Sequence, residues 1–308
     1  MVTHWWAVFS RGSSRRVQPR LFLRHETAIH MLHSAFMASR QIIATTVFGP
    51  RAEDLGATFG SFRMVPDAEL HVFVYNPQLP QNRIEGAHYH LVEPDAAFVS
   101  VRRDALFRRW TLPDRLQAEY ALVVDGADAI CLQALPRFEQ LLRGASFAGA
   151  VEWTPPVRIM GQGSTSAYIN AGVTFWHLPS SRTMREEIVA RGRAHYRGPF
   201  DDQTTLNEVL HTKYFDQIVI LPSQFNWRAL YRKNFRSWRH NFRSWPRVDC
   251  LDGVYIYHNQ HCVREVNEAI RRSAPLVRAE LPGLPQDREP LSPAMLLWRR
   301  ILNRLRYS

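Results

Sequence analysis

The stretch from Glu119 to Leu132, EYALVVDGADAICL, leaves a chain of this kind few ways to fold. Tyr120 to Val124 is short, apolar and β-branched, as a buried strand is. It stops abruptly at Asp125, Gly126, Ala127 and Asp128, then turns apolar again through Ala129, Ile130, Cys131 and Leu132. Two carboxylates parted by two small residues at the end of such a strand stand where α/β sheets bind ligands, outside the strand's carboxyl end. Hard oxygen ligands there suit Mg²⁺ or Mn²⁺, which in turn hold a diphosphate. The spacing is equally that of an acidic turn whose Asp side chains satisfy their own backbone. Taken alone, it leaves both readings open.

The flanking pattern argues for an α/β domain with a largely parallel sheet. Strands are expected at Ile42 to Phe48, broken by Gly49-Pro50, and at Leu70 to Tyr75, ended by Asn76-Pro77. A further edge segment is expected around Leu91 and Val92 and from Phe98 to Val101. Helical patterns run from Ala52 to Met64 and from Asp104 to Leu116, the latter interrupted by Pro113. After the acidic turn come a helix over Pro136 to Arg143, a strand over Phe147 to Val151 and a Pro/Gly/Ser-rich loop over Trp153 to Ser166. Tyr168 to Leu178 reads as turn plus strand and Arg182 to Tyr196 as a helix. Asp201 opens another helix, and strands follow at Ile218 to Leu221 and Val254 to Tyr257. Residues 1–40 form an N-terminal extension, 41–280 the periodic domain, and 281–308 a Pro-rich linker with a basic amphipathic helix.

Charge and cysteine usage narrow the company this domain keeps. All but two of the 39 basic residues are arginine, the exceptions being Lys213 and Lys233, and the formal charge is +11. A basic surface favours anionic partners: nucleotide phosphates, nucleic acid or an acidic membrane face. Cys131, Cys250 and Cys262 are too few and too scattered for a disulfide framework or a CxxC zinc site. No run reaches the roughly 18 apolar residues of a membrane span. The Trp5 to Phe9 cluster is too short for a signal peptide. A cytoplasmic protein, peripheral at the membrane, is the expectation.

Four short pieces recur in order: Arg109 to Leu112 ahead of the acidic turn, DGAD at 125–128, INAG at 169–172 and DDQ at 201–203. A late histidine follows in YIYHNQH at 255–261. This order resembles glycosyltransferases of the GT-A fold, family 8 in particular, over roughly Ile42 to His258. The resemblance implies a Rossmann-like nucleotide-diphospho-sugar transferase with a mixed, mainly parallel central sheet. It implies Asp125 and Asp128 as metal ligands on a nucleotide-sugar diphosphate, with Gly126 between them; the DxxD spacing departs from the commoner DxD. His258 resembles the third protein ligand, with His261 as a rival, because the usual HFxGxxKPW context is missing. Arg109 matches an arginine that contacts the donor, and Asn170 and Gly172 match the segment on the sugar and acceptor side. Asp202 and Gln203 match the pair beside the transferred sugar, and Thr45 and Thr46 lie where the nucleotide base binds.

These residue types suit the chemistry the resemblance implies. Breaking the bond between a sugar and its diphosphate develops negative charge, which Mn²⁺ or Mg²⁺ and Arg109 would offset. Carboxylate and amide side chains can fix the sugar hydroxyls. The implied reaction moves a hexose from a nucleotide sugar, UDP-linked, to a glycan, glycolipid or protein, with retention of configuration. Beyond the site, NFRSW occurs at 234–238 and again at 241–245, and Leu297, Trp298, Ile301 and Leu305 share a face of the arginine-rich C-terminal helix. The helix suits an anionic membrane surface, and the repeat suits an acceptor glycan or single-stranded nucleic acid. A non-catalytic nucleic-acid-binding protein would explain the charge and the repeat but not the ordered DGAD, NAG and DDQ. A nucleotidyltransferase would need a Gly-rich, Lys-containing phosphate loop, of which ATTVFGPR at 44–51 is a poor version.

Overall fold

A computed structural model of the protein describes residues 39–151, 157–159, 163–165, 167–194, 201–227 and 253–258, with backbone alone at 157–159 and 163–165. Residues 1–38 of the N-terminal extension, the NFRSW repeat, His261, the Pro-rich linker and the segment expected as a C-terminal helix lie outside the described residues.

Tyr120 to Val124 is buried at every position because it runs through the middle of a seven-stranded sheet. The strands are β1 (Gln41–Val47), β2 (Ala68–Val74), β3 (Ala87–Leu91), β4 (Tyr120–Val124), β6 (Phe147–Val151), β9 (Ile169–His177) and β10 (Ile218–Leu221), ordered β10-β6-β9-β4-β1-β2-β3. Alternate residues of β4 feed two separate cores. Leu122 and Val124 join Ile43, Phe138 and Phe175 on one face, while Ala121 and Val123 join Ile42, Trp110 and Trp176 on the other. Both faces are therefore covered, which is why the strand is continuously apolar rather than alternating.

Every neighbouring pair is parallel except those made by β9, which runs antiparallel to both β4 and β6. From β1 the chain steps outward to β2 and β3 and then returns to β4 on the other side of β1. This reversal creates a crevice at the carboxyl ends of β1 and β4, the usual ligand position in an open α/β sheet. Because β9 is reversed, its first residues rather than its last lie at that same end, and Val173 pairs with Val124. A two-stranded ribbon of β5 (Ala129–Cys131) and β11 (Ile256–His258) sits beside the crevice, pairing His258 with Ala129.

Four helices are described: α1 (Val101–Arg108), α2 (Phe138–Leu142), α3 (Arg182–Ala194) and α4 (Asp201–Lys213). Several expected boundaries move for local reasons. Ser100 caps α1 by accepting a hydrogen bond from the Arg103 N–H, so Phe98 to Val101 leads into a helix instead of forming a strand. The edge strand lies earlier, at Ala87–Leu91, where three polar or histidine-bearing positions mask the apolar pattern. α1 stops at Arg108, short of Leu116; Pro113 instead opens a 3₁₀ turn over Leu112–Arg115. The Ala52 to Met64 segment is not an α-helix but two 3₁₀ turns, Gly49–Glu53 and Phe59–Met64. Gly56 and Gly60 weaken helix propagation there. The loop expected over 153–166 contains a short hairpin of β7 (Val157–Ile159) and β8 (Gly163–Thr165). Arg143 ends α2 in the left-handed region with φ 50°, followed by Gly144 at φ 82°.

Candidate active site

The acidic turn is closed by backbone, leaving its carboxylates for other partners. The Asp125 carbonyl accepts from both Asp128 N–H and Ala129 N–H at 2.9 Å, and Asp125 N–H donates to the Gly172 carbonyl at 2.8 Å. Gly126 N–H donates to the Thr45 hydroxyl at 3.0 Å. A Cβ on Gly126 would lie 2.5 Å from that oxygen, so glycine is required for this close approach. Thr45 is fully buried, and its hydroxyl holds the turn. The Thr46 hydroxyl donates to the Ala105 carbonyl at 3.0 Å, tying β1 to α1.

Arg109 is 2 % exposed, so it belongs to the interior and not to a solvated helix face. It follows the last turn of α1 and stacks on the Trp110 ring at 4.6 Å. One guanidinium nitrogen reaches Asp125 Oδ1 at 2.5 Å and the other reaches Asp202 Oδ2 at 2.8 Å. The planar fork thus bridges the turn after β4 and the first turn of α4. Burial raises the Asp202 carboxyl above its ordinary range; the Arg109 cation opposes that shift and the Asp125 charge adds to it. The neighbouring Asp201 is held by a buried ion pair with Arg103, whose guanidinium also donates to the Gly192 carbonyl on α3.

A chain of amides runs from the first turn of α4 to His258. The Gln203 side-chain oxygen accepts from Ala171 N–H at 3.0 Å and from the Asn170 amide at 3.1 Å. The Asn170 oxygen accepts from Gly172 N–H at 2.9 Å and from the Asn226 amide at 2.9 Å. Asn226 in turn meets His258 Nδ1 at 3.0 Å. Nearby, Asn207 on α4 clamps the first residue of β9, accepting from Ile169 N–H at 2.6 Å and donating to the Ile169 carbonyl at 2.8 Å.

His258 is 1 % exposed and its Nε2, among the described residues, has no hydrogen-bond partner. That nitrogen lies 3.5 Å from Asp125 Oδ2. Two ligands of one octahedral ion at about 2.1 Å would stand roughly 3 Å apart, so a small divalent cation fits between these atoms. Gly172 leaves the room: a Cβ there would lie 2.1 Å from His258 Cε1 and 2.6 Å from Asp125 Oδ2. Asp128, the third expected ligand, is engaged by the exposed Arg51 at 3.5 Å. Among the described residues no three His, Cys, Asp or Glu side chains are gathered for a metal ion. The structure therefore brings together Asp125 and His258 and joins Arg109, Asp202, Gln203, Asn170 and Gly172 to them.

Four residues have roles here that sequence reasoning did not assign. Asn226 follows the 3₁₀ turn Ser223–Phe225, Asn207 lies in the helix expected from Asp201, and Arg103 lies one residue ahead of the helix expected from Asp104. Arg51 follows the Gly49-Pro50 break. None carries a local signal, because each acts on a partner distant in sequence.

No known family model matches the chain, and no curated protein matches it in sequence. In structure it is similar to the apo-form glycosyltransferase GlyE of Streptococcus pneumoniae TIGR4, with a TM-score of 0.54 and 18 % identity; the match covers 79 % of this chain and 63 % of that one. It is also similar to an active-site mutant of LgtC, with a TM-score of 0.51 and 16 % identity over 80 % of this chain and 98 % of that one. The chain has the GT-A fold of these proteins. Among the described residues, no helix is long and apolar enough to cross a membrane.

Proposed function

We propose that this chain is a metal-dependent glycosyltransferase that moves a hexose from a nucleotide sugar, UDP-linked, to a glycan, lipid-linked saccharide or protein acceptor, with retention. The observation that carries the reading is the convergence, in the switch-point crevice, of Asp125, the bare His258 Nε2 and the Arg109–Asp202 fork.

Asp125, Asp128 and His258 would hold Mn²⁺ or Mg²⁺, which would supply Lewis-acid stabilisation of the leaving diphosphate. For Asp128 this requires release of Arg51, an exposed pair that costs little to break. Arg109 supplies a fixed cation at the same end of the sheet, already desolvated and oriented by two carboxylates. Asp202 and Gln203, on the rigid first turn of α4, present a carboxylate and an amide to the sugar hydroxyls, and Asn170 extends that wall from β9. These groups are locked by backbone N–H donors before any substrate arrives, which lowers the reorganisation that binding demands.

The test is thermal unfolding with UDP, with and without Mn²⁺, on wild type and Asp128→Ala. Ligand at 100 times its Kd stabilises by about 2.7 kcal/mol, or roughly 5–10 °C in a domain of this size. A Mn²⁺-dependent rise that disappears in Asp128→Ala is the expected result. Silence toward UDP and other nucleoside diphosphates would refute the reading.

A further inference from the structure

The amide chain across the crevice has a fixed polarity, and its direction can be followed atom by atom. Backbone N–H groups can only donate, so the Ala171 and Gly172 N–H groups identify the Gln203 and Asn170 atoms that they meet as oxygens. With the Asn170 oxygen so assigned, the Asn226 atom facing it at 2.9 Å must be the amide nitrogen. The other end of Asn226, 3.0 Å from His258 Nδ1, is then its oxygen, an acceptor. His258 Nδ1 must therefore carry a proton, and Nε2 is the ring nitrogen that faces Asp125 Oδ2, 3.5 Å away.

From this geometry we infer that Asn226 is a positioning residue that keeps a proton on His258 Nδ1 and so leaves Nε2 as the ring nitrogen that can ligate a metal. The inference rests on the metal-dependent reading above. Asn226 is 5 % exposed and is held on its second side by Asn170, so it cannot turn over without setting its oxygen against the Asn170 oxygen and its amide donor against the Nδ1–H. Through it the NAG backbone of β9 specifies the chemistry of a histidine on a different strand. A ligating histidine whose other nitrogen donates to an oxygen is the arrangement in which outer partners tune metal affinity.

The decisive measurement is the long-range ¹H–¹⁵N correlation of the imidazole nitrogens in metal-free protein labelled at histidine, with the His258 signals assigned by their loss in His258→Gln. Wild type should show the Nδ1–H pattern at His258, and Asn226→Ala should shift His258 toward the Nε2–H form. Titration with Mn²⁺ in the presence of UDP, followed by the electron paramagnetic resonance of free Mn²⁺, should show roughly 10- to 100-fold weaker binding in Asn226→Ala. An Nε2–H pattern in wild type overturns the inference without requiring any variant to fold. An unchanged tautomer and Mn²⁺ affinity in Asn226→Ala overturns it as well. If wild type binds Mn²⁺ neither alone nor with UDP, the metal-dependent function fails, while the tautomer measurement still decides the role of Asn226.

Discussion

Replacing Gly172 by alanine adds a single methyl group at the point where three elements meet. Its Cβ would stand 2.1 Å from His258 Cε1, 2.9 Å from His258 Nε2 and 2.6 Å from Asp125 Oδ2. Carbon atoms in contact sit about 3.5 Å apart, so the strand and the imidazole must separate by roughly 1.4 Å. His258 cannot absorb this cheaply. Its ring is held by Asn226, its N–H donates to the Trp227 carbonyl at 2.8 Å, and its strand pairs with β5. Overpacking of this kind costs about 1–3 kcal/mol, measured as a lower urea midpoint at unchanged slope. A displacement of about 1 Å at reacting groups lowers turnover by about 100-fold, measured as Mn²⁺-dependent release of UDP from a UDP-hexose. Gly56→Ala is the control, because a Cβ there meets no atom within 4 Å and should change stability by less than about 0.5 kcal/mol. If Gly172→Ala unfolds with Gly56→Ala and releases UDP at the same rate, the close approach of β9 to His258 is wrong.

Arg109→Ala leaves Asp202 buried without its cation and should destabilise by about 3–5 kcal/mol in urea unfolding. Arg109→Lys should recover only part of this, since one ammonium cannot fork between Asp125 and Asp202; full recovery would show that the fork is unnecessary. A pH effect is expected at the far edge of the sheet. Burial pushes His71 down to about 4 from 6.5; its hydrogen bond to Glu69 opposes the shift, while His90 and His88 add to it. Between these values the unfolded chain binds a proton that the folded chain does not, so stability is present above pH 6.5 and lost as pH falls toward 4. The full shift corresponds to about 3 kcal/mol, and solvent screening beside edge strand β3 reduces the expected loss to about 2 kcal/mol. His71→Leu should flatten urea-unfolding free energy across that window, and an unchanged slope would show that His71 is not its source.

Much of the fold was legible because its signals are local. The limits of β4 follow directly from the apolar run Tyr120 to Val124, and α4 begins at Asp201 as the acidic first turn suggests. The pattern erred where local chemistry competed. Ser100 turned an apolar segment into a helix start, Gly56 and Gly60 reduced a helix to 3₁₀ turns, and histidines hid β3. At the candidate site, the resemblance carried by DGAD, INAG and DDQ singled out Asp125, Asn170, Gly172, Asp202 and Gln203. The resemblance places Thr45 where a nucleotide base binds, and in the fold its buried hydroxyl accepts the Gly126 N–H.

The sequence by itself determined the central strands and the later helices, because periodicity and capping depend on neighbours a few positions away. Only the tertiary structure decided that β9 runs backward and so carries Asn170 and Gly172 to the carboxyl end of β4. It alone decided that Arg109 is buried between two carboxylates, and that Asn226 lies between Asn170 and His258. Those contacts join residues 16 to 93 positions apart, and no local pattern encodes them. They arise when strand order and packing bring distant polar groups into a desolvated crevice, where each must find a partner.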